Sequence, residues 1–281
     1  SAARGSADRS WACVMTFQPV LPVGGLAGWS LLNRTMERQT ELFNQSPQLV
    51  RDTAYFEKSI GDIKTADDLV SDRRLLRVAL GAFGLQEDID SRAFIRTILE
   101  EGNTRNDALA NRLTDPRYKQ LAAAFGFAED QSLRTAEPGF GKKITEQFRR
   151  REFEVAVGDQ EQSLRLALNA ERELGAIAND DASEDARWFG ILGNTPLRRV
   201  FETALGLPES FGQLDLDRQL GEIKARAENQ LDIGSLSDLS NADVQEQLIR
   251  RFLVRDQIAG FSFQSSQSIA LALLQSAPRA F

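Results

Sequence analysis

The stretch GFGKK at 139–143 is where this chain comes nearest to a loop that does chemistry. A phosphate-binding P-loop carries a glycine seven residues before its Ser/Thr and follows a strand. Here Ala136 stands at the glycine position, Lys143 at the Ser/Thr position, and no strand pattern precedes them. The segment therefore reads as a loop feeding the basic start of a helix. His is 0 and Cys is 1, so the commonest general base and metal ligand are missing, and neither a disulfide framework nor a thiolate zinc site can form. Neighbouring acids occur at Asp67-Asp68, Glu100-Glu101 and Asp180-Asp181. Adjacent helical residues do not face each other, and no D-x-D-x-D-G loop is present, so these are neither carboxylate dyads nor an EF-hand. No cofactor and no metal are expected. Arg149-Arg150-Arg151, with Glu146, Glu152 and Glu154 close by, reads as a solvated ion-pair face, with contact to an acidic partner as the alternative. Serines are many, but there is no G-x-S-x-G elbow and no histidine to serve one; a Ser-Lys arrangement stays open.

Composition sets the frame for these residues. The 281 residues are 42% hydrophobic and 27% charged, ordinary values for a globular chain. Asp plus Glu is 41 against 34 Lys plus Arg, a net charge of -7, which disfavours general nucleic-acid binding. The longest apolar run near the C-terminus, Ile269 to Leu274, is far below the ~18 residues that a membrane span needs. Residues 1–14 are small, polar and Arg-containing, without the apolar core of a secretory signal. Met15 opens a different style of sequence and is expected as the native start, which would leave Cys13 outside the working protein.

The elements that must position these groups read as helices. From Trp29 the apolar residues Trp29, Leu32, Met36 and Phe43 recur at helical spacing. Further helical patterns cover 48–60, 73–83, 90–101, 105–113, 116–125, 141–157, 159–178, 184–192, 196–205, 215–231, 241–258 and 266–276. All eight prolines fall at helix ends or outside helices. Alternating β-branched runs are nearly absent. The fold class is all-α: duplicated helical units joined by long helices, with one extended N-terminal arm. The arm is 16–28, where two prolines and three glycines oppose helix. The domain reading is an extension and arm over 1–28, an N-terminal helical unit over 29–140, connecting long helices over 141–183, and a C-terminal helical unit over 184–281.

The duplication is visible residue by residue. DRRLLRVALGAFGL at 72–85 aligns without a gap on NTPLRRVFETALGL at 194–207, sharing Leu75/Leu197, Arg77/Arg199, Val78/Val200, Ala82/Ala204, Gly84/Gly206 and Leu85/Leu207. DPRYKQLAAAFGF at 115–127 is a shorter third copy. Each copy reads as a capped helix. Asp115 and Thr195 are expected to accept the orphan N–H groups, and Pro116 and Pro196 fit the first turn. Gly84, Gly126 and Gly206 are expected in the left-handed conformation past the helix end.

With its start MTFQPVLPVGGLAGW (15–29), Leu32, Arg34, Thr35 and the blocks at 72–85 and 115–127, the chain resembles an uncharacterised alphaproteobacterial family of helical repeats whose genes sit in flagellar clusters. The resemblance transfers no catalytic residue. It implies an association with the flagellum or motility, either in the cytoplasm or reached by an export route that cleaves no signal. The termini carry more apolar residues than short ends usually do. Such ends often dock on their own core; otherwise they are sites for another chain, and Phe17, Leu21, Leu26 and Trp29, with Ile269, Leu273 and Leu274, are the residues expected to bind a protein partner. The function expected is non-enzymatic protein binding in flagellar structure or assembly. The alternatives are a cytoplasmic chaperone or regulator holding a partner helix, and an enzyme working with acidic, Arg and Ser residues alone.

Overall fold

A computed structural model describes residues 17–276, with side chains described through Gly260. Among the described residues there are helices and no strands. In chain order they are α1 (Gly25–Asn44), α2 (Pro47–Ser59), α3 (Ala66–Ser71), α4 (Arg73–Phe83), α5 (Arg92–Glu101), α6 (Leu109–Arg112), α7 (Pro116–Phe125), α8 (Phe140–Gly158), α9 (Gln162–Ala178), α10 (Glu184–Gly193), α11 (Thr195–Leu205), α12 (Leu216–Leu231) and α13 (Ala242–Ser276). The proposed start at Met15 and Cys13 lie outside the described residues.

Helix α4 is the centre of the first half. From Leu75 to Phe83 every residue except Arg77 is buried, as expected of a helix apolar on nearly all sides. It lies against α8, and α2 packs on both. The second half repeats the arrangement with α11 against α13 and α9 packed on both. The long helices over 141–183 thus do more than join the halves: α8 belongs to the packing of the first and α9 to that of the second. Their mutual contact joins both halves into one apolar core that runs from Trp29 to Leu253. Where the core holds a charge, it is paired. Asp52 is buried and accepts from Arg74 at 3.0 Å, from Gln48 at 2.8 Å and from Arg77.

Three readings of the sequence are corrected. Helix α1 begins at Gly25, four residues before Trp29, because Gly25 (φ 61°) makes the turn out of the arm and neither Leu26 nor Ala27 opposes helix. The patterns at 241–258 and 266–276 form one 35-residue helix, since Gly260 costs a helix only ~1 kcal/mol and no proline intervenes before 278. The N-cap of α11 is Asn194, whose side chain accepts from the Leu197 N–H at 3.2 Å; Thr195 is the first helical residue. Asn194 is the residue aligned with Asp72, which caps α4 through the N–H groups of Arg74 and Leu75.

Candidate functional site

The arm over 17–24 is short and fastened. Buried Gln39 of α1 takes the Val20 N–H at 2.6 Å, and Gln160 donates to the Pro19 carbonyl at 2.7 Å. These bonds satisfy backbone groups that an extended segment cannot satisfy itself. Phe17, Leu21 and Leu26 are half-buried against the core. Trp29 is 1% exposed, and its indole N–H donates to Glu246 of α13 at 3.1 Å. Trp29 is therefore a core residue and offers no surface to a partner. A large indole at the end of an extended arm is a feature that a docked arm shares with a free one. Val20 and Val23 are exposed large apolar residues of the described arm.

The other end behaves differently. Helix α13 packs on α9, α11 and α1, and its buried residues run through Leu248, Ile249, Phe252 and Leu253. Past Leu253 no described residue of the helix is buried, and Val254, Gln257, Ala259 and Gly260 are exposed. The helix nonetheless continues to Ser276. Ile269, Leu273 and Leu274 lie on this helical continuation, and their side chains lie outside the described residues.

The repeated helix ends are built alike. Gly84, Gly126 and Gly206 close α4, α7 and α11 with φ of 73°, 66° and 62°. Leu85 and Leu207 return their N–H groups to the carbonyls of Leu80 (2.9 Å) and Glu202 (2.8 Å), six-residue closures that leave the following leucine folded back on the last turn. Asp115 caps α7 through the Arg117 N–H at 2.9 Å and also grips the Arg117 guanidinium. Burial pushes the Asp115 carboxyl up, and the hydrogen bonds from Arg117 outweigh it, so the group sits below the usual carboxylate range.

Sequence reasoning missed the charge cluster at the junction of the halves. Arg149–Arg151 is no solvated face. Arg150 is the outward member, 56% exposed, with Glu154 at 3.8 Å. Arg149 donates inward to Thr53 at 2.7 Å. Arg151 is only 13% exposed and reaches across to Glu173 of α9 at 3.2 Å. There Arg172 holds Glu154 at 2.8 and 3.0 Å and also contacts Glu173. Burial, together with the neighbouring Arg172 charge, pushes the Arg151 guanidinium down to about 10. The signal available in the sequence was the facing run of α9, where Arg165, Asn169, Arg172 and Glu173 share one stripe of a largely apolar helix.

GFGKK forms the entry to α8, with Gly139 at φ 84° as the residue before the helix. Among the described residues no group of three acidic or cysteine side chains is placed to hold a metal, and no helix is long and apolar enough to cross a membrane.

Residues 82–245 match the family described as "Protein of unknown function (DUF1217)". The chain belongs to this family. The match takes in all three left-handed glycine endings, Gly84, Gly126 and Gly206, and the charge cluster among them. The fold of this DUF1217 protein is also similar to that in the X-ray crystal structure of protein AGR_C_984 from Agrobacterium tumefaciens, with a TM-score of 0.70 and 26% identity, over 86% of this chain and 99% of that one. No curated protein matches.

Proposed function

We propose that this chain is a non-enzymatic protein-binding component of flagellar structure or assembly, with the C-terminal part of α13 as its binding element. The observation that carries the reading is that helix α13 continues past the stretch over which its described residues are buried. It runs to Ser276, and among the residues whose side chains are described, which end at Gly260, the last buried one is Leu253. The sequence beyond, FSFQSSQSIALALLQS, supplies Phe261, Phe263, Ile269, Leu271, Leu273 and Leu274. A preformed helix rich in such residues suits a partner that offers an apolar groove, because the ordering cost of the helix is already met. The flagellar association rests on the family resemblance of 15–29 and the repeated blocks. The test is complementation of a deletion strain with the chain ended after Gly260. Loss of motility with unchanged melting of the purified protein supports the reading, and full rescue overturns it.

A second reading, a cytoplasmic chaperone or regulator that receives a partner helix, is favoured by a trough of about 490 Å³ between α1, α8 and α9. Met36, Phe153 and Leu168 supply its apolar surface and Arg149, Arg150 and Glu171 its charged rim. Under that reading a Met36→Lys substitution abolishes the motility phenotype and the truncation after Gly260 does not.

A further inference from the structure

The corner over 84–88, the first turn of α7, the facing sides of α8 and α9 and the first turn of α11 surround a polar cleft of about 380 Å³ at the junction of the halves. We propose that this cleft binds a small anion bearing a carboxylate or phosphate group, held by Arg151, Arg165 and Asn169. The inference stands apart from partner binding by α13 and does not depend on it.

The argument is an account of donors and acceptors. The carboxylates lining the cleft, the exposed Glu87 apart, each already receive a donor. Glu154 receives Arg172, Glu173 receives Arg151 and Arg172, and Asp88 receives the Tyr118 hydroxyl at 2.8 Å. The donors are in surplus. Arg151 makes one hydrogen bond, to Glu173 at 3.2 Å, and has further N–H groups to give. Arg165 lines the cleft, and its side chain makes no hydrogen bond or ion pair among the described residues. Its aliphatic stem lies over Gly158, where a β-carbon would collide with it, so the side chain is held in place by packing. Asn169, one turn along α9 from Arg165, accepts from Arg172 through its Oδ1 at 2.7 Å. That bond fixes the amide's orientation, since the reverse would set an NH2 group against a guanidinium. The Asn169 Nδ2 is thereby buried with no acceptor among the described residues.

A guanidinium has five donors and no acceptor, and an orphaned buried amide donor is costly to leave unmet. An acceptor-rich anion meets both needs, and the forked geometry of arginine matches carboxylate and phosphate oxygens. The positive end of α11 opens on the same cleft through Asn194, Thr195 and Pro196. Glu87, on the rim, has no partner among the described residues, but it is exposed and screened by water. The volume is at the lower end for ligand pockets, which limits the ligand to metabolite size.

The test is calorimetric titration of the full chain with inorganic phosphate and with succinate, against chloride at matched ionic strength. Saturable one-site binding of either anion, weakened roughly tenfold or more in Arg165→Gln, supports the site. Because the Arg165 side chain makes no hydrogen bond or ion pair among the described residues, Arg165→Gln is expected to melt close to the parent without anion, which separates lost binding from lost folding. Asn169→Asp, which replaces the orphaned donor by a charge, is expected to weaken binding further. Preference for phosphate or for succinate assigns the ligand class. If neither anion binds beyond chloride, or if Arg165→Gln binds both as tightly as the parent, the proposal is overturned.

Discussion

The two copies of the short buried helix end in the same backbone geometry and in different surroundings. At the end of α11 the carbonyls are covered: Arg251 donates to Ala204 at 2.8 Å, Gln230 to Leu205 at 3.3 Å and Arg226 to Gly206 at 2.8 Å. At the end of α4, Arg117 donates to Gly84 at 2.5 Å and Arg151 turns away to Glu173. The long helices that lie against them carry Phe and Arg three residues apart in both halves, Phe148 with Arg151 on α8 and Phe252 with Arg255 on α13. Arg151 and Arg255 are the groups that a side chain on Gly84 or Gly206 would strike. Duplication thus preserved the helix, its left-handed exit and its long partner. The surplus of charge went to the first copy, where the halves meet.

Four groups of substitutions test how alike the two copies are. The largest effect is expected at the long partners. Phe148 and Phe252 are fully buried, and Phe148→Ala and Phe252→Ala should each cost ~3–5 kcal/mol in denaturant unfolding. A large cost in one copy and a negligible one in the other would break the equivalence of α8 and α13. Next come the glycines. Alanine at Gly84 or Gly206 should cost ~1 kcal/mol of left-handed strain, softened because each faces the movable end of an arginine. Gly126→Ala should cost more than either, since its β-carbon would meet the Ser132 carbonyl oxygen, which is backbone. Equal melting shifts at all three would contradict this.

The caps follow. Asn194→Ala and Asp72→Ala should each lose ~0.5–2 kcal/mol, while Thr195→Ala, at an exposed position that caps nothing, should lose far less. A Thr195→Ala loss equal to that of Asn194→Ala would return the cap to Thr195. The smallest effect concerns pH. Burial, and then the hydrogen bond to Asp88, push the Tyr118 hydroxyl up to about 12 from 10.0. A phenol raised on folding contributes stability that is whole below its unfolded value and lost as pH rises through its folded one. Both tyrosines lie in the first half, Tyr55 and Tyr118, so between about pH 10 and 12 hydrogen exchange should quicken in α7 before α11. Tyr118→Phe should remove that difference.

How far the sequence was legible depended on how local the cause was. The bounds of α4 and α7 could be read directly, because Asp72, Asp115, Pro116, Gly84 and Gly126 act within their own turns. The N-cap of α11 was misplaced by one residue, although the alignment of Asp72 with Asn194 carried the answer. Helix α3, six residues long with the capping box of Thr65 and Asp68, went unread, being too short for a period to show. The place of Trp29 was not legible, since only the fold brings Glu246 beside it. The same holds for the cleft: Arg165 and Asn169 look like ordinary polar positions until α8 and α11 close over them.

The proposed action of α13 through its part beyond Gly260 is tested by ending the chain after Gly260, measuring its melting temperature, and measuring swimming in a strain that carries only this form. Since Leu253 is the last buried residue of α13 among those whose side chains are described, the melting temperature should stay close to that of the full chain while swimming is lost. Normal swimming from the truncated chain, or a melting temperature lowered by several degrees, would contradict the account.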